Sequence, residues 1–267
     1  MRYFKILDGN GRSARDQEWP LPQGKRPGQW LRTAEDDEGE LIPYVTGYHV
    51  YTPKQLLDWT GPTIWEVEVR RRRLVDAGHM TVVRSARIIA PKHWDQRIAC
   101  LFACDCTSRA LRREHRAGRE PDKRSWEALR VAHRYVEGQA TKQELTAAAV
   151  AAKAAWAAIQ DPGWTAGKTA ARSAFDTTAT TWYTTEIAAW AAWVTWNGSE
   201  AMVAAAWNAT VAGPCAASAA WNATEAAAYV VSATWDGTGT EAKAAWRAER
   251  RWQANRLLQY LDGKRGV

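Results

Sequence analysis

The sequence is poor in phenylalanine, with three Phe against seventeen Trp. Alanine dominates almost everything after about Thr146. A core with this composition must combine very large side chains with very small ones, because protein interiors are close-packed. The apolar content is otherwise ordinary, and the length of 267 residues is sufficient for one large domain or two smaller ones.

Cysteine is also scarce, and its spacing excludes a disulfide scaffold. Cys100, Cys104 and Cys106 lie close together and Cys215 lies far away, so we expect reduced thiols. The first three, with His93 or His115, are residue types that bind zinc. On one helix, however, positions 100 and 104 share a face while position 106 points elsewhere. We therefore expect buried thiols and no metal.

Long apolar runs are absent. No stretch of about twenty residues is apolar without polar interruption, so no membrane span is predicted. The first residues, Met1 to Lys5, lack the apolar segment of a secretion signal. We expect a cytoplasmic protein that makes no membrane contact.

The common catalytic motifs are missing as well. The sequence contains no glycine-rich phosphate loop, no Gly-x-Ser-x-Gly element and no His-Glu-x-x-His helix. These absences remove the enzyme classes that are easiest to identify from sequence. We expect no cofactor, and the sequence favours a non-enzymatic protein while leaving an enzyme of another class open.

What is present divides the chain into two predicted domains, residues 1–91 and 92–267. Short alternating or β-branched runs in the first domain predict a small, mostly antiparallel sheet, with strands at Tyr3–Leu7, Tyr44–Tyr51, Thr63–Val69 and Thr81–Ile89. Thr52-Pro53 predicts the start of a short helix that extends to Trp59. The first domain is therefore expected to be α+β.

After Pro91 the apolar spacing becomes helical. A first helix carries Ile98, Leu101 and Phe102, and a second begins at Asp122 as its cap and ends at Gly138. The remaining predictions are a third helix from the capping box at Thr141–Glu144 to about Gln160, and a last helix from Thr240 to Leu261. In the last helix Trp246, Trp252 and Leu257 mark the apolar side, with Arg247, Arg250, Arg251 and Arg256 elsewhere.

Between these helices lies a biased, weakly repetitive tract. Trp196, Trp207, Trp221 and Trp235 are each followed by Asn or Asp, at spacings that nearly complete whole helical turns. Glycine and proline interrupt the tract, which favours several antiparallel helices over one rod. The predicted fold is thus a small α+β domain followed by a larger all-α array of antiparallel helices.

One resemblance is carried by Gly47-Tyr-His-Val-Tyr51, Thr63–Val69 and Val82–Ile89. These segments resemble an uncharacterised domain family of phage and bacterial chains, in which a Gly-x-His strand precedes a helix and a Val-rich strand. Ala/Trp-rich helical repeats commonly follow in that family. An Asp-Lys pair that is common there is replaced here by Gly78-His79.

A second resemblance covers residues 98–158. Ala103–Leu111, Pro121–Arg130 and Gly138 are similar to a helical family of immunity proteins of bacterial toxin loci. This resemblance implies an all-helical fold that works by binding another protein.

Two sets of residues are candidates for a site in the first domain. His49, Tyr51, Glu66 and Glu68 are of the types that ADP-ribosyltransferases use, where a Glu orients the ribose and an aromatic residue stacks on nicotinamide; the simpler explanation is a hydrogen-bonded His and two solvent-facing Glu on an alternating strand. The arginines Arg70, Arg71, Arg72, Arg73, Arg84 and Arg87 are candidates for phosphate binding. An Arg-rich strand edge also discourages unwanted strand pairing.

The net charge of +7 arises mainly from residues 92–140 and 241–267. We expect a non-enzymatic interaction or accessory protein of a phage or mobile element, in which helices form a scaffold. Its expected partner is another protein, and a homo-oligomer is left open. An ADP-ribosyltransferase-like enzyme is the first alternative. The second is a nucleic-acid-binding protein that acts through its basic patches.

Overall fold

A computed structural model of the chain describes residues 1–13, 16–32, 39–57, 63–70, 74–116, 120–158 and 239–266. The predicted tryptophan repeats of residues 196–235 lie outside the described residues, as do Arg71, Arg72 and Arg73. Of the helices that the structure describes, none has the length and apolar content needed to cross a membrane.

The amino-terminal part forms two antiparallel sheets. A four-stranded sheet has the order β1-β4-β7-β2, and a three-stranded sheet has the order β3-β6-β5. The strands are β1 (Tyr3–Leu7), β2 (Leu31–Arg32), β3 (Tyr48–Val50), β4 (Thr63–Val69), β5 (Leu74–Asp76), β6 (Thr81–Val83) and β7 (Ser85–Pro91). The prediction of an antiparallel sheet within an α+β fold is confirmed.

The predicted strand Thr81–Ile89 is wrong in one respect, because it is two strands that belong to different sheets. It breaks at Arg84, where the chain leaves β6 and its partner β3 and enters β7 beside β4. The apolar pattern runs through this corner without a gap, because the residues on both sides of it are buried. The two sheets are also joined by a bridge between Phe4 and Tyr51, whose backbone N–H groups donate to each other's carbonyl oxygens at 2.8 Å.

The predicted strand Tyr44–Tyr51 is shorter than expected. Tyr44 has a φ of 67° and Gly47 a φ of 87°, and neither conformation is compatible with a strand. A Cβ on Gly47 would lie 2.8 Å from side-chain atoms of Leu41 and Val82, so a larger residue is excluded by space as well as by φ. The turn at Gly47 therefore sets where β3 begins.

Four α-helices follow the sheets among the described residues: α1 (Gln96–Arg116), α2 (Lys123–Val136), α3 (Lys142–Ala158) and α4 (Gly239–Leu261). The predicted caps are confirmed. The Asp122 carboxylate accepts from the N–H of Arg124 at 2.8 Å, and Thr141 and Glu144 form the reciprocal capping box. The described part of the predicted helix Pro53–Trp59 contains a 3₁₀ helix over Gln55–Leu57, and its last two residues lie outside the described residues. The N–H of Thr52 donates to the Gln55 side chain.

Strand alternation divides β1 between two clusters of buried side chains. Tyr3 and Leu7 pack with Trp19 and β-strand residues in one cluster, whereas Phe4 belongs to the other. This second cluster is continuous from the sheets into the helices and includes Phe4, Leu56, Ile64, Ile98, Phe102, Leu257 and Leu261. Residues on both sides of position 91 thus share a core.

The end of α4 is also fixed to the sheet by charged groups. The Arg2 guanidinium donates to Asp262 at 2.8 and 2.9 Å and to Glu66 at 3.0 and 3.3 Å. The ammonium of Lys92 lies 3.2 Å from Glu66 and 3.3 Å from Asp262. Burial raises the pKa of Glu66, but hydrogen bonds from Arg2 and Lys92 outweigh it and lower the pKa overall. The hydrogen bond from Arg2 likewise lowers the pKa of Asp262.

The substitution Arg2→Met tests this connection. We expect the free energy of unfolding at pH 7 to fall by about 1–2 kcal/mol, because two partly buried carboxylates would share only Lys92. The loss should shrink as the pH falls from about 5 to 3, since carboxylates with a lowered pKa stabilise the fold only while ionised. Urea denaturation at several pH values measures both effects.

Arg12→Met is the matched control, because Arg12 pairs with Asp16 at 2.7 Å on an exposed turn. We expect its effect to be much smaller than that of Arg2→Met, because solvent screens an exposed ion pair. Equal losses from the two substitutions would show that the contact with Asp262 does not hold α4 in place.

Candidate functional site

His49 lies in a cluster of aromatic rings on the three-stranded sheet. Its Nε2 accepts the backbone N–H of Tyr44 at 3.1 Å, and the two rings meet edge to face. The hydroxyl of Tyr44 lies 2.6 Å from Nε2 of His79, and these two rings are stacked. His49 is therefore a hydrogen-bonded strand residue, as one of the two sequence interpretations expected.

The two predicted carboxylates are occupied by cations. Glu66 binds Arg2 and Lys92, and Glu68 accepts from Nε of Arg87 at 2.7 Å. Tyr51 is buried, and burial raises its pKa to about 12. Each of these groups thus serves packing or ion pairing in the described structure.

Of the predicted arginine set, the structure describes Arg70, Arg84 and Arg87. The guanidinium groups of Arg70 and Arg87 both lie over the ring of Trp30, at 4.8 and 4.7 Å from its centroid. Arg84 is half-buried at the corner between β6 and β7. Arg70 and Arg87 therefore form an aromatic-arginine cluster with Trp30.

A buried lysine beside His49 escaped the sequence analysis. Lys5 is 6% exposed, and its ammonium donates to the carbonyl of His49 at 2.8 Å and lies 4.8 Å from the ring centroid of Trp19. Burial lowers its pKa to about 7, whereas the aromatic ring favours the charged form. The sequence contained the signal for this burial. Lys5 lies two residues from both Tyr3 and Leu7 in β1, so its side chain is on the same face of the strand as theirs.

The cysteines of α1 are buried, as the sequence predicted. Cys100, Cys104 and Cys106 are each at most 4% exposed. Burial raises the pKa of both Cys104 and Cys106 well above the ordinary value. In the part of the chain that the structure describes, no three His, Cys, Asp or Glu side chains are grouped to hold a metal.

A strongly basic cavity lies between α1 and the end of α4. It has a volume of about 350 Å³. We call it the arginine pocket, and five arginines line it together with a serine, a tryptophan and an aspartate: Arg109, Arg112, Arg116, Arg256, Arg265, Ser108, Trp252 and Asp105. Both helices are needed to form its walls.

Three of these arginines are held by carboxylates. Nε of Arg109 donates to both oxygens of Glu249 at 2.8 and 2.9 Å, and Glu249 is fully buried. Arg256 and Arg265 each lie 3.2 Å from Asp105. The hydroxyl of Tyr260 donates to the same aspartate at 2.8 Å.

The other two arginines leave positive charge in excess. Arg112 and Arg116 are exposed and have no acidic partner among the described residues. Trp252 is half-buried, with the guanidinium groups of Arg109 and Arg256 at 4.3 and 5.2 Å from its ring centroid. Its ring orients two arginines, which gives the pocket a preorganised set of donors.

A second cavity of about 400 Å³ adjoins the first and shares Ser108 and Arg112 with it. We call it the Trp126 pocket, and its other lining residues are Lys123, Trp126, Leu129 and Arg130. The two pockets together form what we call the basic groove. Because they share Ser108 and Arg112, the two pockets lie side by side.

Sequence reasoning identified the basic excess of this region but not the groove. Arg109, Arg112 and Arg116 recur at three and four residues, so a basic stripe on one face of α1 was readable. The last helix was predicted with its arginines away from the apolar side. The prediction was wrong for Arg250, whose side chain is buried at 2% exposure. Trp252, which was predicted on the apolar side, lines a charged pocket.

Comparisons of the chain with protein-family models, with curated proteins and with solved structures find no match. The two resemblances noted in the sequence stay hypotheses.

The buried amine of Lys5 generates a prediction about pH. The pKa of about 7 in the fold lies below the unfolded value of about 10.4, so the unfolded chain binds more protons between these values. The Lys5 contribution to the free energy of unfolding should therefore rise with pH across this window, by up to about 1.4 kcal/mol per pH unit. In Lys5→Met this contribution is absent.

The measurement is the difference in the free energy of unfolding between the wild type and Lys5→Met, taken from pH 7 to 10 by urea denaturation. Taking the difference removes the contribution of the buried thiols. The free energy of unfolding of the wild type should rise relative to that of Lys5→Met as the pH rises. Lys25→Met, which makes the same substitution at an exposed lysine, is the control for the loss of a lysine as such. A flat difference for Lys5→Met would mean that Lys5 keeps an ordinary pKa.

Proposed function

We propose that this chain is a non-enzymatic interaction protein whose recognition surface is the basic groove and whose partner is polyanionic. The observation that carries the proposal is the pair of exposed guanidinium groups of Arg112 and Arg116. They project from one wall of a pocket in which the neighbouring arginines are already held by Asp105 and Glu249. The groove thus offers donors that its own carboxylates do not occupy.

Arginine suits this role because its planar guanidinium presents several N–H donors in a fixed fork. The fork matches the oxygens of phosphate and carboxylate groups. Orientation by Trp252 and by buried Glu249 reduces the side-chain freedom that Arg109 loses on binding. A polyanion placed in the groove would therefore meet both oriented cations and the exposed guanidinium groups of Arg112 and Arg116.

The helical part of the chain is the scaffold in this proposal, as the sequence led us to expect. Residues 92–267 form a larger array of antiparallel helices that acts as the scaffold, and the protein is a cytoplasmic accessory protein of a phage or mobile element. The alanine and tryptophan content and the two resemblances support this. The partner is another protein with an acidic surface or a nucleic acid, and self-association is compatible with either.

The geometry weighs against the alternative of an ADP-ribosyltransferase-like enzyme. Such a site requires a glutamate that is available to the ribose. Glu66 is held by Arg2 and Lys92 in the contact that fixes α4, and Glu68 is held by Arg87. Neither carboxylate is placed to serve a substrate without first losing these partners.

The double substitution Arg112→Ser and Arg116→Ser tests the proposed function. The probe is heparin, a polyanion without bases, and binding is measured by calorimetry at several salt concentrations. We expect affinity to fall at least about tenfold at low salt. The slope of log K against log salt should also become shallower by about 2, since two cation–anion contacts are lost.

Lys25→Ser with Arg26→Ser is the matched control, because it removes the same charge from an exposed turn away from the groove. We expect it to change affinity less than about twofold, because screened charges at a distance contribute little. If both double variants weaken binding equally, attraction is due to net charge alone and the groove is not the recognition surface.

A further inference from the structure

The two pockets of the basic groove differ in a way that points to the chemistry of the ligand. In the arginine pocket the ring of Trp252 already has two guanidinium groups over it. In the Trp126 pocket the half-buried ring of Trp126 has no guanidinium or aromatic ring stacked on it among the described residues. One pocket is therefore suited to an anion and the other to a flat aromatic group.

The Trp126 pocket combines an apolar wall with a cationic rim. Trp126 and buried Leu129 supply the apolar surface, while Arg112 and Lys123 supply charge. Arg130 also lines this pocket but is paired with Glu127. An aromatic ring bound here would stack on an apolar surface while remaining close to positive charge.

A nucleotide places a phosphate and a flat base next to each other, and the shared residues Ser108 and Arg112 place the two pockets next to each other in the same way. We infer that the basic groove binds single-stranded nucleic acid, with a phosphate in the arginine pocket and a base against Trp126. This inference rests on the proposed function and names its polyanion. Stacking requires an unpaired base, so a duplex is disfavoured.

Both pockets also suit a strand better than a free nucleotide. Arg116 and Lys123 add cations beyond the shared Arg112, whereas Arg130 is paired with Glu127. Further phosphates of a strand would meet these cations, whereas a mononucleotide would leave them unused. Binding to a strand should accordingly depend steeply on salt.

The experiment measures fluorescence anisotropy of labelled oligonucleotides of about 12 nucleotides, in DNA and RNA forms, with the full-length protein. The key comparison is an abasic oligonucleotide of the same length, which keeps the phosphates and lacks the bases. We expect the wild type to bind the base-containing strand at least about fivefold more tightly than the abasic strand. Trp126→Leu should reduce this ratio to about one, and Trp126→Phe should preserve most of it.

Trp30→Leu is the matched control, because Trp30 is also half-buried beside two arginines but lies in the sheet region. We expect it to leave the ratio unchanged. Thermal melts establish that each variant is folded. Should Trp126→Leu fail to fold, photocrosslinking of a 5-bromouracil strand to the wild type provides the second test, with Trp126 or a neighbour in its pocket as the expected site.

Equal affinity for abasic and base-containing strands would overturn the inference. A duplex that binds with equal or higher affinity than the single strand would also overturn it. The same holds if a polyglutamate peptide binds with the affinity of the oligonucleotide and its binding depends on Trp126. If a mononucleotide binds as tightly as the strand, the inferred ligand is wrong, and the groove binds a free nucleotide instead. If Arg112→Ser with Arg116→Ser affects neither heparin nor oligonucleotide, the proposed function itself fails. If it weakens both and the bases have no effect, only this inference fails.

Discussion

The docking of α4 is the constraint on which the rest of the structure depends. Its last turns contribute Leu257, Tyr260 and Leu261 to the core shared with the sheets, and Arg2 and Lys92 bind Asp262 just beyond its end. Apolar contacts are non-directional and do not fix the orientation of the helix by themselves. The ion pairs of Arg2 and Lys92 with Asp262 and Glu66 are directional, so they fix how the end of α4 meets the sheet. The same placement brings α4 against α1.

The basic groove is a consequence of that docking. Asp105 on α1 accepts from Tyr260 on α4 and binds Arg256, and Arg109 on α1 reaches the buried Glu249 on α4. These contacts consume the negative charge of the interface. Repulsion among clustered guanidinium groups is thereby offset where the helices touch, whereas Arg112 and Arg116 at the exposed end of α1 have no carboxylate partner among the described residues.

The candidate residues of the sheet region illustrate how the same chemistry can serve structure. His49, Glu66 and Glu68 are residue types that catalyse reactions, yet here they hold a turn, the end of α4 and a strand pair. Lys5 is the least conventional group in this region because its ammonium is buried without a carboxylate partner among the described residues. Such residue types indicate a site only when the groups around them leave them available.

The sequence by itself determined the elements whose signals are local. The caps at Asp122 and Thr141, the strands Tyr3–Leu7 and Thr63–Val69, and the burial of the α1 cysteines follow from hydrogen bonds and side-chain periodicity within a few residues. The tertiary structure alone decided where the strand region turns at Arg84, which carboxylates are consumed by ion pairs, and that Arg109 and Trp252 share one pocket. Those outcomes depend on contacts between residues up to 260 positions apart, such as Arg2 with Asp262, and no local pattern encodes which charges will meet.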